Sequence, residues 1–396
     1  MTILLVNTLY PPQGVGGAER SVALLARALV AAGEKVHVAT LDPGGIERVT
    51  EEDGVLVHRL PHDNVYWPWG PVRQGVAARL QWHVRNRWNR VAALRVGRVI
   101  DRVEPQIVHT QLLSGFSPAV WPVVAARGLP LVHTLRDYSL ICARAGLFRR
   151  GQSCARPCVE CRVLTAPSRK ASRMVDALIG NSDFLIGAHR RAGRFAGVES
   201  RRLFNIVPLP IGSRQIAQKE PIQFGFLGRI EPEKGIETLL AALALVGRED
   251  WSLRIGGAGA EAYLRTLRSR SSDDRIAWLG KVEASSFYHS IDVLVVPSLW
   301  PEPLPRTLVE ATAHGCRVIA ADSGGIPEVA GIGRGAALYP ATDAAALAAL
   351  LRVAIDRPDE WRGGEADPAD LEAFSATSAV AAHRAVYAQL LERRAR

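Results

Sequence analysis

Short apolar runs alternate with longer segments of helical period along most of the chain, and the alternation occurs in two series. Apolar runs bounded by turn residues are typical of buried parallel strands, and the segments between them are long enough to be crossover helices. The first series predicts strands at residues 3–6, 35–41, 107–109, 131–135, 177–179 and 203–207, and helices at 18–32, 92–103 and 118–127. The second predicts strands at 222–227, 252–255, 276–279, 293–296 and 318–320, and helices at 234–246, 260–270, 306–314 and 343–356. This pattern predicts an α/β protein with two doubly wound parallel sheets.

A proline-rich segment, Pro208-Leu-Pro210-Ile-Gly212, separates the two series and is the predicted hinge. It divides the chain into a first domain at 1–208, a second domain at 213–373 and an Ala-rich helical tail at 374–396. In open α/β sheets, ligands bind beyond the carboxyl ends of the strands. A ligand cleft is therefore predicted where the two domains face each other.

Composition restricts the class of protein. Charged residues make up 22% of the chain and hydrophobic residues 48%, which excludes a disordered polyelectrolyte and a membrane-spanning bundle. The sequence has neither a long uninterrupted apolar run nor the pattern of a signal peptide, so a cytoplasmic location is predicted. The net charge of +10 indicates an anionic partner only weakly, because bulk charge does not show where the cations lie.

Glycines and charged residues recur where predicted strands lead into helices. Gly16 and Gly17 precede the first helix, where glycines let backbone N–H groups approach an anion. Arg229 and Lys234 flank the start of a later helix, and cations are unfavourable there unless an anion such as a diphosphate is bound. Further on, two carboxylates stand eight positions apart, at Glu302 and Glu310. Carboxylates in a cleft accept hydrogen bonds from hydroxyl groups, as a sugar would offer.

Five motifs occur in a fixed order along the chain. They are G-G-A-E at 16–19, G-R-x(4)-K-G at 228–235, G-G-x-G at 256–259, E-P-x(6)-E at 302–310 and G-G-I-P-E at 324–328. Together they resemble the retaining, nucleotide-sugar-dependent glycosyltransferases of family four, which have the GT-B fold. The resemblance implies two Rossmann-like domains, with the acceptor on the first and the nucleotide sugar on the second. It also implies that the helix at 374–396 crosses back to the first domain.

The resemblance carries roles to individual residues. It implies that Arg229 and Lys234 bind the diphosphate and stabilise its growing charge without a catalytic metal, and the sequence contains no Asp-x-Asp. It implies that Glu302 contacts the donor sugar and that Glu310 holds the ribose. The remaining donor-binding residues that it implies are Gly16, Gly17, Gly257, Lys281, Val282, Leu304, Arg306 and Thr307.

Two positions depart from the family pattern. Leu304-Pro305 replaces the usual Phe-Gly, and Pro305 has no N–H to donate to the sugar. Where many members carry a His after the fourth strand, this chain has Arg136-Asp137, so any base role moves to Asp137 or to His133. A turn cap is an equally good interpretation of Asp137.

The predicted activity is transfer of a sugar from a nucleoside diphosphate, with UDP as the expected nucleotide, to a saccharide acceptor. The acceptor is expected to be lipid-linked, in envelope polysaccharide or glycolipid synthesis. Two alternatives remain open. One is different nucleotide-sugar chemistry on the same fold, as in an epimerase or a natural-product glycosyltransferase, and the other is a sugar-binding protein without catalysis.

Four cysteines fall within 20 residues, at Cys142, Cys154, Cys158 and Cys161. In a cytoplasmic protein such clustering favours a metal site over disulfides, and four thiolates predict a structural zinc ion. Free thiols and an iron–sulfur cluster are the alternatives.

Residues 64–100 contain seven Arg, four Trp and no Asp or Glu. This composition is typical of a segment that lies on an anionic membrane surface, and it predicts peripheral attachment to the inner leaflet. A helix pair that packs its Trp inward is the main alternative. Single-stranded nucleic acid is disfavoured as a partner, because the strongest signals elsewhere predict a small-molecule site.

Overall fold

The computed structural model describes residues 1–14, 16–70, 72, 74–208, 221–363 and 367–395. Residues 209–213, which include most of the predicted hinge and the predicted start of the second domain, lie outside the described residues, as does Arg73. The strands are β1 (Thr2–Val6), β2 (Lys35–Asp42), β3 (Arg48–Glu52), β4 (Val55–Pro61), β5 (Ile107–Thr110), β6 (Leu131–Leu135), β7 (Phe148–Arg149), β8 (Gln152–Ser153), β9 (Ala177–Gly180), β10 (Glu199–Arg202), β11 (Ile222–Leu227), β12 (Trp251–Gly256), β13 (Ile276–Gly280), β14 (Val293–Val296), β15 (Arg317–Asp322) and β16 (Ala336–Pro340). The α-helices are α1 (Gly17–Ala31), α2 (Val76–Arg87), α3 (Arg90–Val103), α4 (Val120–Ala125), α5 (Val159–Leu164), α6 (Ala166–Ala171), α7 (Asp183–Arg191), α8 (Ile236–Val246), α9 (Glu261–Arg270), α10 (Ala284–His289), α11 (Arg306–Ala313), α12 (Ala344–Asp356), α13 (Pro358–Trp361), α14 (Pro368–Leu371) and α15 (Ala376–Ala395).

The described residues form two compact units, and unit 1 contains residues 1–147, 154–206 and 376–395. Its eight-stranded sheet has the order β10-β9-β6-β5-β1-β2-β4-β3, and every neighbouring pair is parallel except β3 with β4. The order reverses between β1 and β5, which makes this the topological switch point of the sheet. Loops that leave the carboxyl ends of β1, β5 and β6 are therefore the natural ligand-binding loops of unit 1.

The C-terminal helix α15 belongs to unit 1, where it packs against α1. Tyr387 and Leu390 of this helix join the apolar core of the sheet. The Tyr387 hydroxyl also lies 2.7 Å from Nδ1 of His109 on β5, and His109 Nε2 lies 2.7 Å from the Thr134 hydroxyl. Both ring nitrogens of this buried histidine are thus paired, so His109 anchors the helix.

Unit 2 contains residues 148–153, 207–208, 221–363 and 367–375. Its six-stranded parallel sheet has the order β13-β12-β11-β14-β15-β16, which is the 3-2-1-4-5-6 order of a Rossmann domain. The switch point lies between β11 and β14. The β7-β8 hairpin also belongs to this unit, and the Ser153 hydroxyl donates to the Leu299 carbonyl at 2.8 Å.

The α/β fold class with two Rossmann-like domains is confirmed, but some predicted elements are wrong or absent. The strand predicted at 203–207 is not one, and the charged residues of β10 form the edge strand instead. Edge strands tolerate charge because one side faces solvent, so an apolar run is a poor guide to them. The antiparallel strand β3 escaped prediction for the same reason, and neither β4 nor the uncharged edge strand β16 was predicted.

Candidate active site

The switch point of unit 2 brings together two segments that leave neighbouring strands. The segment after β11 carries Lys234 in a short 3-10 helix, Pro232–Lys234, and the segment after β14 carries Ser298 and Glu302. Lys234 Nζ donates to Glu302 Oε1 at 2.5 Å. Two residues that are 68 positions apart in sequence therefore form one ion pair at the place where a Rossmann domain binds its ligand.

Glu302 is 6% exposed, so its charge depends on the groups around it. Burial opposes ionisation, but Lys234, the Ser298 hydroxyl and the Trp300 indole outweigh that effect and lower the pKa of the carboxyl. The Ser298 hydroxyl donates at 2.7 Å, and Lys234 Nζ lies 4.9 Å from the Trp300 ring centroid. The site thus holds an ionised carboxylate and an ammonium group, both largely out of water. Sequence reasoning missed Ser298 and Trp300, although their position just beyond a buried central strand was a signal.

A glycine turn fixes the backbone of Glu302. Gly325 N donates to the Glu302 carbonyl at 2.7 Å, and a Cβ placed on Gly324 would lie 2.3 Å from that carbonyl oxygen. Gly324 also has a φ of 63°, which side chains other than glycine rarely adopt. The G-G-I-P-E motif is therefore explained by close backbone packing against the catalytic candidate.

Glu310 occupies the middle of α11 and is 8% exposed. Its Oε2 accepts from the Tyr288 hydroxyl at 3.0 Å, and its Oε1 pairs with Arg306 at 2.9 Å. Burial, followed by the charge of Glu310, raises the pKa of Tyr288 well above its usual value, so this phenol remains a donor. Tyr288 lies on α10 and had no local sequence signal, because only helix packing brings it to Glu310.

Arg229 does not join the Lys234–Glu302 pair. Its side chain is 62% exposed, and its guanidinium pairs with Glu231 at 2.6 Å. An exposed ion pair of this kind contributes little to stability, so the side chain can exchange Glu231 for a ligand anion at small cost.

The other predicted donor-binding residues of unit 2 lie on loops around the same sheet edge. Gly257 N donates to the Gly280 carbonyl at 2.6 Å, and a Cβ on Gly257 would lie 1.8 Å from the Gly228 carbonyl oxygen. The loops after β11, β12 and β13 are therefore in direct backbone contact. The predicted residues that follow β13 or start α11 differ in exposure: Lys281 is exposed, Val282, Arg306 and Thr307 are half-buried, and Leu304 is buried.

In unit 1, Gly16 caps the start of α1 and Gly17 is its first residue, and both are exposed. Asp137 follows β6, and its Oδ1 accepts from Ser139 N at 2.9 Å and from the Ser139 hydroxyl at 2.7 Å. The turn-cap interpretation of Asp137 is thus geometrically correct. Burial nevertheless raises the pKa of Asp137 to about 6, Ser139 opposes the shift, and the nearby Glu19 charge adds to it.

The four clustered cysteines are not arranged as a zinc site. All four are among the described residues, and within those residues no group of three or more His, Cys, Asp or Glu side chains could hold a metal ion. Cys142 Sγ lies 3.8 Å from Cys161 Sγ, and burial raises the pKa of Cys161 to about 12. The structure therefore does not support the zinc prediction.

The basic segment at 64–100 forms α2 and α3, and it does not simply pack its aromatic residues inward. Trp82 is buried, but Trp69 and Trp88 are 37% and 39% exposed. Along α2, Val76, Leu80 and Val84 are 74%, 58% and 57% exposed, and their spacing of four places them on one face. We call Val76, Leu80 and Val84 the α2 stripe. Among the described helices, none is long and apolar enough to span a bilayer.

Both units match sequence families. The family model described as "Glycosyltransferase Family 4" matches residues 15–196, and the one described as "Glycosyl transferases group 1" matches residues 221–356. A Klebsiella pneumoniae protein, named "Uncharacterized 42.6 kDa protein in cps region", is 30% identical over 332 residues. That alignment covers 84% of this chain and 88% of the relative.

Solved structures share the fold at low sequence identity. Sucrose-phosphate synthase from Thermosynechococcus elongatus is 19% identical, with a TM-score of 0.74 and 99% of both chains covered. Anabaena HepE, solved in complex with UDP and glucose, is 17% identical, with a TM-score of 0.68 and coverage of 98% of this chain and 99% of that one. The chain has the two Rossmann-like domains of the GT-B glycosyltransferases. It belongs to glycosyltransferase family 4.

Proposed function

We propose that this glycosyltransferase moves a sugar, with retention of configuration, from a nucleoside diphosphate to a saccharide acceptor on a lipid carrier. UDP is the proposed nucleotide, and envelope polysaccharide or glycolipid synthesis is the proposed setting. The observation that carries the proposal is the Lys234–Glu302 pair at the switch point of unit 2. Support for UDP comes from the HepE structure, which holds UDP and glucose on the same fold.

Unit 2 offers the chemistry that a nucleotide sugar needs. Lys234 would move its ammonium group onto the diphosphate, with Arg229 adding a second cation from the loop after β11. Glu302, released from Lys234, would accept hydrogen bonds from sugar hydroxyls, and Glu310 would accept them from the ribose. Leu304-Pro305 gives one backbone donor fewer than the family pattern, since Pro305 lacks an N–H. The sugar contact of this segment then rests on Glu302.

The reaction is a displacement at the anomeric carbon. The bond from that carbon to the β-phosphate oxygen breaks, and the bond to the acceptor oxygen forms on the same face. Negative charge grows on the departing diphosphate, where fixed cations stabilise it more in the transition state than in the ground state. The acceptor proton passes to the departing phosphate oxygen. This route requires no catalytic metal, and a side-chain carboxylate can assist it by accepting a hydrogen bond from the acceptor hydroxyl.

Asp137 is proposed to assist acceptor deprotonation, and this role predicts a pH dependence. Because the pKa of Asp137 is raised to about 6, its carboxyl group is mostly protonated below that pH and no longer polarises the acceptor hydroxyl as a carboxylate does. We therefore expect kcat/KM to fall with acid below a pH of about 6. The Asp137→Asn variant should lose this acidic limb and be at least about 10-fold slower at pH 7.5.

Ser139→Ala is the matched variant for this pH profile. The Ser139 hydroxyl lowers the pKa of Asp137, so removing it should shift the acidic limb to higher pH without abolishing activity. Identical profiles for wild type, Asp137→Asn and Ser139→Ala would leave Asp137 with the turn-cap role alone.

The α2 stripe is proposed to contact an anionic membrane surface on the inner leaflet. The stripe is apolar, and α2 adds Arg79, Arg85 and Arg87 without any acidic side chain. At 100° per residue, Arg87 falls between Val76 and Leu80 in helical projection. Apolar side chains flanked by arginines match the headgroup region of a bilayer with acidic lipids.

The membrane proposal predicts binding to vesicles. We expect the protein to sediment with vesicles of equal phosphatidylglycerol and phosphatidylcholine at low salt, and Leu80→Gln should weaken binding by about 10-fold, since a buried Leu contributes about 1.5–3 kcal/mol. Leu245→Gln is the control, because Leu245 on α8 is 50% exposed and lies in unit 2. No sedimentation of wild type, or equal weakening by both substitutions, would contradict the proposal.

A thermal-shift screen tests the central activity. Ligands that bind only the folded state raise the melting temperature. We expect UDP-sugars to raise it more than GDP-, ADP- or dTDP-sugars, and inorganic diphosphate to have a smaller effect. Stabilisation by a nucleotide sugar that is converted without a second alcohol would favour an epimerase. Stabilisation by free sugars alone would favour a sugar-binding protein.

A further inference from the structure

The phenol of Tyr288 lies against the carboxylate of Glu310. Tyr288 is fully buried, and its hydroxyl donates to Glu310 Oε2 at 3.0 Å. Arg306 donates to the other carboxylate oxygen, Oε1, at 2.9 Å. The two oxygens of Glu310 are therefore held by donors from two different helices, the phenol from α10 and the guanidinium from the start of α11.

Further contacts fix the position of Tyr288 itself. Cys316 Sγ donates to the Tyr288 carbonyl at 3.2 Å, and the centroids of the Tyr288 and His314 rings are 5.0 Å apart. His314 Nδ1 lies 2.7 Å from the Glu310 carbonyl oxygen, and its Nε2 lies 3.1 Å from the Ser285 hydroxyl. The side chain and the backbone of Glu310 are thus both tied to the residues around Tyr288, which limits rotation of the carboxylate.

The contacts of Glu310 leave acceptors for a diol. An ionised carboxylate has about four lone-pair positions, shared equally between its two oxygens. Tyr288 and Arg306 each use one position, on different oxygens, so within the described chain each oxygen keeps a position for a ligand. The Glu310 side chain is 11% exposed, so a ligand can reach it. Two neighbouring acceptors match the adjacent hydroxyls of a ribose, whereas a dideoxyribose offers neither hydroxyl.

A second buried tyrosine of unit 2 indicates that packing alone does not require such a contact. Tyr339 on β16 is buried, and its hydroxyl has no hydrogen-bond partner among the residues that the structure describes. Unit 2 therefore accommodates a buried phenol that donates to no carboxylate. The bond from Tyr288 to Glu310 is charge-assisted, and such bonds are stronger and more directional than neutral ones. It is thus a specific feature of Tyr288 and not a general consequence of burying a tyrosine.

We propose that Tyr288 is a positioning residue that turns both oxygens of Glu310 towards the ribose diol and thereby sets the preference of the donor site for ribonucleotides over deoxyribonucleotides. The inference rests on the proposed function, because it takes a nucleoside diphosphate as the ligand of Glu310. Tyr288 is fully buried, so its effect on the ligand passes through Glu310. A nucleotide without the two hydroxyls leaves the prepared acceptors of Glu310 unpaired, which disfavours its binding.

Tyr288→Phe tests the inference, since Phe keeps the ring and removes only the hydroxyl. The measurement is the dissociation constant, by titration calorimetry on the full chain, for UDP and for 2′,3′-dideoxy-UDP. We expect the variant to bind UDP about fivefold more weakly, which is the usual effect of one lost hydrogen bond, and to bind 2′,3′-dideoxy-UDP as wild type does. If the thermal-shift screen selects another nucleotide, that nucleotide and its 2′,3′-dideoxy form replace this pair.

Transfer kinetics give a second measurement on the same variant. The ribose contact is the same in the ground state and in the transition state, so its loss weakens both equally. In Tyr288→Phe, KM for the nucleotide sugar should therefore rise by about fivefold while kcat stays near that of wild type.

Two further variants show whether the effect passes through Glu310. Glu310→Ala should abolish the preference for UDP over 2′,3′-dideoxy-UDP, and adding Tyr288→Phe to it should change neither dissociation constant further. Tyr339→Phe is the matched control, because it removes a buried phenol oxygen of the same unit that is unpaired within the described residues. Its preference for UDP should equal that of wild type.

An equal loss of affinity for both nucleotides in Tyr288→Phe would overturn the inference, as would a further loss of UDP binding when Tyr288→Phe is added to Glu310→Ala. Equal binding of both nucleotides by wild type would also overturn it. In each of these cases a nucleotide still binds, so the nucleotide-sugar activity stands and only the role of Tyr288 is wrong. If no nucleoside diphosphate binds, the proposed function itself is wrong.

Discussion

The Glu302→Gln variant is expected to transfer sugar about 10²–10³-fold more slowly than wild type at saturating donor, with the fold retained. Gln keeps an oxygen that can accept from Ser298 and Lys234, but it lacks the charge that pairs with the ammonium group. Because Glu302 is only 6% exposed, solvent cannot compensate the ammonium group for the lost carboxylate charge. The measurement is kcat for transfer, together with the melting temperature.

A loss of kcat with a small change in melting temperature is the result expected for this variant. Glu283→Gln is a suitable control, since Glu283 caps α10 in the same unit by accepting from the backbone N–H groups of Ser285 and Ser286. It should cost some stability and leave kcat unchanged. Transfer by folded Glu302→Gln at near wild-type rate would remove Glu302 from the donor site.

The Lys234→Ala variant is expected to lower kcat by a similar factor of about 10²–10³, because it removes the cation that would face the departing diphosphate. It should also change the pH profile. Lys234 lowers the pKa of Glu302, so without Lys234 that pKa rises and Glu302 becomes protonated at a higher pH. As the pH is lowered, the residual activity of the variant should therefore begin to fall at a higher pH than the activity of wild type.

The double variant distinguishes a shared role from two separate ones. Since Lys234 and Glu302 contact each other, the loss in Lys234→Ala/Glu302→Gln should be smaller than the product of the two single losses. Arg248→Ala removes an exposed cation that pairs with Asp250 and Asp356 in the same unit, and kcat should not change. A strictly multiplicative loss, or an equal loss in Arg248→Ala, would contradict a specific role for Lys234.

Central strands and motif loops were predictable because their signal is local. Buried parallel strands such as β1 and β14 are continuous apolar runs, and the glycine and charge motifs follow them directly. The edge strands β10 and β3 were not, because a strand with one solvent-facing side carries charge and loses the apolar signature. The Asp53-Gly54 dipeptide between β3 and β4 is typical of a hairpin turn, but a search for apolar runs does not detect it.

The candidate active site also contains residues that have a local sequence signal and residues that have none. Lys234, Glu302 and Glu310 could be selected from motifs, but the pairing of Lys234 with Glu302 depends on strand order, which puts β11 beside β14. Tyr288 reaches Glu310 only because the fold brings α10 beside α11. The zinc ion predicted from the cysteine spacing is not supported, since no metal-binding group of side chains occurs in the part of the chain that the structure describes.

A crystal structure with the best-binding nucleotide sugar would show whether the switch point of unit 2 is the donor site. We expect the diphosphate to lie within hydrogen-bond distance of Lys234 and Arg229, the sugar hydroxyls to contact Glu302, and the ribose to contact Glu310. In that complex, Lys234 Nζ should have exchanged its contact with Glu302 for a phosphate oxygen. A nucleotide sugar bound elsewhere on the protein, or bound with the Lys234–Glu302 pair unchanged and no ligand contact to either residue, would contradict a donor site at the switch point of unit 2.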